Sequence, residues 1–252
     1  MMLNRSLTLD RAQRRELFEP TKSLALYYER SLRKIARHIG ELTEIAASGD
    51  GASSQSLVDA LGRYERLLAP WAETTARRMV EAANATNSRE WRAHASMLGR
   101  ELRREIETAP TGAMMQALQR EQVDLITSLP REAAERIQKL AREGLISGSR
   151  SRSMVEEIMR SGEVAESRAI CIARTETARA SSVLTQVRAQ AAGCTHFRWR
   201  SHRDTRTRAS HKAMNGTICE YANPPIVDGE PLMPGGIYNC RCYQVPLIDG
   251  EM

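Results

Sequence analysis

Aromatic residues are scarce in this chain, at 4%, so any core must be built mainly from Leu, Ile, Val, Ala and Met. No run of 18 or more apolar residues occurs, which excludes a hydrophobic membrane span. The opening Met1-Met2-Leu3-Asn4-Arg5 has no apolar stretch behind its basic residue and does not read as a signal peptide, so synthesis and folding in a reducing cytosol are expected. Lysine is nearly missing: only Lys22, Lys34, Lys139 and Lys212 stand among 37 basic residues, and the rest are arginine. Arginine suits phosphate and carboxylate recognition, but a GC-rich coding sequence produces the same bias. Cysteines number five, an odd count that argues against an extracellular disulfide framework. Cys171, between Ile170 and Ile172, reads as a small buried apolar residue.

What is present is compatible with a folded core. The 252 residues are 41% hydrophobic and 27% charged, enough for one large domain or two ordinary ones. The net charge of +6 is a modest excess.

Residues 8 to about 192 read as successive helices. Leu24, Tyr28, Leu32, Ile35, Ile39 and Leu42 recur at steps of three and four, and so share one helical face. The pattern resumes after Ser48-Gly49-Asp50-Gly51 with Leu57, Leu61, Tyr64, Leu68, Trp71, Thr75 and Met79, where Pro70 predicts a kink or a split. A charged third stretch, Ser88 to Ile106, ends at Pro110-Thr111-Gly112. Met115 to Leu129 make a fourth, and Pro130 is placed to open a fifth through Ile137 and Leu140. Gly144 through Arg152 reads as a flexible joint or a capped helix start, and Ser161-Gly162-Glu163 as a second break before a helix from about Val164 to Ala192. The apolar stripes are expected to be core and partner-packing faces.

After Gly193 the pattern changes. Thr195, Phe197, Trp199 and Ser201 alternate with His196, Arg198 and Arg200, the period of a half-buried strand. Tyr243-Gln244-Val245-Pro246 predicts a last short strand. The fold class expected is therefore α+β: a long, mainly helical N-terminal region, residues 1–150, followed by a small α+β C-terminal domain, residues 151–252. A unit of that size benefits from a metal staple.

Candidate ligands for one are His211, Cys219, Cys240 and Cys242, whose sulfur and imidazole donors suit a closed tetrahedral zinc site. A Cys219–Cys240 or Cys219–Cys242 disulfide, or free thiols, are the competing readings. The segment His196 to Lys212 carries six Arg or Lys and a single acid, Asp204. Arg198, Arg200, Arg203, Arg206 and Arg208 are thus candidates for a phosphate-backbone patch, weighed against a solvated face with Asp204 paired to a nearby arginine. No nucleophile–base–orienter set and no phosphate loop are present in the sequence, so no enzyme is expected.

Taken in order, Ala173-Arg174-Thr175-Glu176, Trp199, Asp204-Thr205-Arg206, His211, Asn215-Gly216 and Asn239-Cys240-Arg241-Cys242 form a set. This set resembles the C-terminal domain of phage head morphogenesis proteins, the Mu F-like minor head protein family, from Ile172 to Val245. The resemblance implies a minor head (minor capsid) protein of a tailed bacteriophage, present in a few copies in the virion near the portal vertex and in the host cytoplasm during assembly. Its implied partners are the portal protein, the major capsid or scaffold protein and packaged double-stranded DNA, with no membrane and no reaction. In such proteins the terminal Asn-Cys-Arg-Cys recurs while an upstream cysteine is less regular. Arg174, Glu176, Trp199, Asp204, Asn215, Gly216 and Asn239 are expected to be structural, the Arg174–Glu176 helix docking on the strand to fix Trp199. A virion-carried zinc-dependent nuclease or toxin-like enzyme and a cytosolic nucleic-acid-binding protein are the alternatives.

Overall fold

The structure, a computed structural model, describes residues 17–20, 22–48, 53–95, 104, 108–146, 152–202 and 204–248. Helices α1 (Lys22–Ser48), α2 (Ser54–Ala95), α3 (Thr111–Ile146), α4 (Arg152–Met159) and α5 (Ser161–Ala191) lead into strand β1 (His196–Arg200). The short helix α6 (Ala209–Ala213) follows, then β2 (Ile218–Glu220), β3 (Ile226–Val227), β4 (Glu230–Pro231) and β5 (Tyr243–Leu247). The α+β class is as expected. Residues 8–16, the expected third helix beyond Ala95 apart from Arg104, and positions 147–151 of the expected 144–152 joint lie outside the described residues. No helix of the described residues is long and apolar enough to cross a membrane.

The helical stripes form one core. Tyr28, Leu32, Ile35 and Ile39 of α1 meet Leu61, Ala72, Ala76 and Met79 of α2 and Ile126, Leu129 and Ile137 of α3. Ser53 starts α2 by accepting the Ser56 N–H on its hydroxyl at 3.2 Å, an N-cap. Pro70 does not split α2, which runs through it and absorbs Ser88–Ala95, the start of the expected third helix. Pro130 opens no fifth helix either, because α3 continues through it. Burial of Ile126, Leu129, Ala133 and Ile137 on one continuous face outweighs the single backbone hydrogen bond that proline removes.

Helix α5 contributes to the same core through Ala165, Ala169, Ile172, Ala173, Ala180 and Leu184. Packing is therefore continuous across the expected 150/151 boundary. The Ser161-Gly162-Glu163 break lies one residue earlier than expected: α4 ends at Met159 and α5 begins at Ser161. Gly162 is instead a contact glycine. A Cβ on it would come within 2.7 Å of the Gly40 Cα, so α1 and α5 touch backbone to backbone.

A second core lies under the sheet, whose antiparallel order is β2-β1-β5. Phe197 and Trp199 point inward from β1 and are fully buried, as their alternation predicts. Phe18, Trp91, Ala189 and Tyr221 pack with them. Between the cores, the buried Arg188 of α5 donates to Asn87 at 2.5 Å, Asn84 at 2.6 Å and Ser88 at 2.8 Å, all on α2. Desolvation, with the charge of Arg92, lowers its pKa to about 10.

Replacing Gly162 by Ala should destabilise the protein by about 1–3 kcal/mol through overpacking, although alanine gains at most about 1 kcal/mol in helix propensity. Gly40→Ala, whose new methyl would lie 3.8 Å from the Gly162 Cα, should be neutral or stabilising. Urea unfolding midpoints of the two variants check this difference.

Candidate metal centre

Three of the four predicted ligands converge. His211 sits on α6, and its Nδ1 lies 3.4 Å from the sulfur of Cys240 and 3.4 Å from that of Cys242. All three side chains are buried, and their donor atoms lie within 4.8 Å of one another. Cys219 is not among them. It faces the second core from β2, opposite Phe197, and burial pushes its thiol pKa up, as befits an inert apolar residue. All five cysteines are free thiols, so the disulfide readings that use Cys219 are not realised here.

The surroundings favour one anionic sulfur of the two. The Cys240 thiol is drawn down to about 5, first by the S–H that Cys242 donates to it, then by the N–H groups of Cys242 and Gly235. Cys242, as the donor of that pair, is pushed up, first by its bond to Cys240 and then by burial. The His202 N–H and the Trp199 indole act on Cys242 in the opposite sense. Trp199 Nε1 is buried and makes no hydrogen bond among the described residues, and its N–H acts on this sulfur. N–H groups gathered around two sulfurs are the outer partners that would support thiolates on a metal.

The local fold explains the convergence. Trp199 pairs with Gln244 and Arg200 with Tyr243 across β1 and β5, which holds Cys242 at the mouth of β5. Gln244 anchors β5 to α5 by donating to the Ser182 carbonyl at 2.7 Å. Gly235, at φ +80, brings its backbone against the site, where a Cβ would meet the Ala178 and Cys242 carbonyl oxygens at 3.2 Å each. Asn239 takes φ 55, a left-handed value that asparagine tolerates, and donates its N–H to Thr175 Oγ1 at 3.0 Å. The Trp199 ring meets His211 edge-on at 5.8 Å. Asn215 Oδ1 accepts the Ser201 N–H at 3.0 Å, and the Gly216 N–H donates to the Trp199 carbonyl at 2.8 Å.

Two contributors escaped the sequence reading. Asp228 Oδ2 lies 3.1 Å from His211 Nε2, and Ser210 donates to its other oxygen at 2.6 Å. Both bonds, Ser210 first, hold the Asp228 carboxyl below the usual range. A carboxylate on Nε2 keeps the proton there and leaves the Nδ1 lone pair facing the sulfurs, the arrangement of metal-bound histidines. The signal was available: Asp228-Gly229 between Val227 and Glu230 is a two-residue hairpin turn, and both residues have positive φ. The other is Thr175, the third residue of Ala173-Arg174-Thr175-Glu176.

The remaining predicted residues disperse. Glu176 does not reach Trp199. It accepts from Gln122 at 2.7 Å and Arg179 at 3.0 Å, and Gln122 accepts from the Tyr28 hydroxyl at 3.0 Å. Arg174 meets Glu29 of α1 at 3.6 Å. Arg174 and Glu176 therefore tie α5 to α1 and α3, while Thr175 of the same motif holds the turn before β5. Asp204 binds both terminal nitrogens of Arg241 at 2.5 Å, while Arg206 is 3.5 Å away. Arg198 and Arg200 lie on the outward face of β1, Arg208 donates to the Tyr238 carbonyl at 3.0 Å, and Arg203 lies outside the described residues.

The arrangement is that of a small α+β module docked on long helices, with a buried thiol–imidazole cluster behind its first strand. Residues 135–245 match the family described as Phage Mu protein F like protein, which bears out the resemblance carried by the motifs from Ile172 to Val245. An uncharacterized protein of Haemophilus influenzae (strain ATCC 51907 / DSM 11121 / KW20 / Rd) is 29% identical over 202 residues, covering 79% of this chain and 44% of the relative. The chain thus spans less than half the length of that relative. No solved structure matches it.

The Asp204 carboxyl is held far below its ordinary value, chiefly by the Arg241 hydrogen bonds. Its stabilisation is then complete above the unfolded carboxylate range, around 4, and is lost as pH falls toward the folded-state value. The stability gap between wild type and Asp204→Asn should be constant from about pH 7 to 5 and narrow in more acidic solution. Urea midpoints across that range measure it.

Proposed function

We propose that the protein is a head morphogenesis protein of a tailed bacteriophage, acting by binding and not by catalysis. The observation that carries this reading is the match of residues 135–245 to the Mu F-like family, a stretch that holds all the ordered motifs. Residence in the virion near the portal vertex, with the portal protein and the major capsid or scaffold protein as partners, follows from the same reading. The long helices supply the docking surface: Ile45 of α1 is 69% exposed and Leu67 of α2 is 79% exposed, large apolar side chains suited to helix–helix contacts. Arg198 and Arg200, side by side on the outer face of β1, are the groups that would meet packaged DNA, through phosphates and without base readout.

The Ile45→Asp/Leu67→Asp double variant should melt like the wild type yet enter phage heads at less than about a tenth of the normal level, since charge at the centre of an apolar contact removes most of its affinity. Undiminished incorporation, measured by quantitative mass spectrometry of purified particles, overturns the docking surface.

Within this reading the metal is zinc, with His211 Nδ1, Cys240 and Cys242 filling three of its four tetrahedral positions and Asp228 orienting the imidazole. Zinc bound there would neutralise the thiolate pair and lock the loop before β5 against α6. Full-length protein should contain about one zinc, lose it in Cys242→Ser together with several degrees of melting temperature, and keep it in Cys219→Ser. Metal-free protein whose melting temperature falls on reduction shows a disulfide instead.

A further inference from the structure

A cleft of about 550 Å³ opens where the start of α1 meets α5 and the loops flanking the metal centre. Lys22, Arg174, Arg206 and Arg241 line it against one carboxylate, Glu29. That carboxylate is already committed: Glu29 is buried and sits 3.2 Å from Arg33 and 3.6 Å from Arg174. Asp204 fixes Arg241 through two hydrogen bonds. The Arg206 side chain remains 70% exposed, and Lys22 has no ion pair among the described residues. Two anchored guanidinium forks and two solvated cations therefore face one space. Leu26 adds an exposed apolar wall, and none of the lining residues is aromatic except the imidazole of His202.

We propose that this cleft receives an extended acidic segment of a partner protein, with carboxylates on Lys22 and Arg206 and an aliphatic side chain against Leu26. Charge complementarity selects the acid, since arginine forks and a free ammonium bind carboxylates through charge-assisted hydrogen bonds. Two features select peptide over nucleic acid. A single strand needs flat aromatic faces for its bases, which the cleft does not offer. Thr177 and Asn239 supply polar side chains that can serve a peptide backbone. Arg174, Arg206, Asn239 and Arg241 belong to motifs spread over the Mu F-like stretch, and the fold brings them to this one place. The inference rests on charge and shape, and it stands whether or not the protein acts in a phage head.

Fluorescence anisotropy on the full chain at low ionic strength tests it. The probes are a labelled peptide Glu-Asp-Leu-Asp-Glu, its neutral counterpart Gln-Asn-Leu-Asn-Gln, and labelled oligo-deoxythymidine. The acidic peptide should bind and the neutral one should not. Lys22→Gln/Arg206→Gln, both at exposed positions and with unchanged melting expected, should weaken the acidic peptide at least about tenfold. Arg77→Gln, an exposed change on α2 away from the cleft, should not. No binding of the acidic peptide, equal binding of the neutral one, or indifference to the double variant overturns the proposal. Tighter binding of oligo-deoxythymidine that depends on Lys22 and Arg206 would also overturn it, and would assign the cleft to nucleic-acid phosphate.

Discussion

Helix α5 has to serve two cores at once, and most of the structure is arranged around that demand. Buried positions fall all round its axis, yet its sequence is not that of an apolar helix. It is rich in alanine, serine, threonine and arginine, so it buries little hydrocarbon per residue and gains instead from close approach. Alanines at 165, 169, 173 and 180 let α1 lie near it, and Gly40 against Gly162 marks the closest point. Its buried polar groups are then obliged to find partners, because an unmet one costs about 1–3 kcal/mol. Glu176 finds Gln122 and Arg179, while Arg188 finds two asparagines and a serine on α2. These networks fix how α1, α2 and α3 sit on α5, and α5 in turn seats the sheet through Ser182 and Gln244.

The thiol–imidazole cluster follows from that seating. Thr175 and Gly235 determine where the turn before β5 can lie, and β1 determines where it must end. In Asn239-Cys240-Arg241-Cys242 the two sulfurs turn to the same histidine, while the residue between them turns outward to Asp204. One short stretch of backbone therefore has a buried soft-donor side and a charged side.

Local features of the sequence were legible and long-range ones were not. The alternation of Phe197 and Trp199 gave the strand, and the three-four spacing on α1 gave its buried face, since each depends on neighbours in sequence. Pro130 misled because its effect was judged locally, whereas the helix is held by burial of Ile126 and Ile137 against other elements. Cys240 and Cys242 could be grouped with His211 from their spacing. Cys219 could not be separated from them until β2 was paired with β1, which turns its side chain into the second core. The partner of Glu176 lies 54 residues away on α3, and no periodicity points to it.

Arg241 is a covalent neighbour of both sulfurs and also one wall of the cationic cleft. A ligand that took its guanidinium from Asp204 would act on the residue that joins Cys240 to Cys242. By thermodynamic reciprocity, the factor by which an occupied cleft changes metal affinity must equal the factor by which the metal changes affinity at the cleft. A metal at the centre and a ligand in the cleft would thus each report on the other through a single tripeptide.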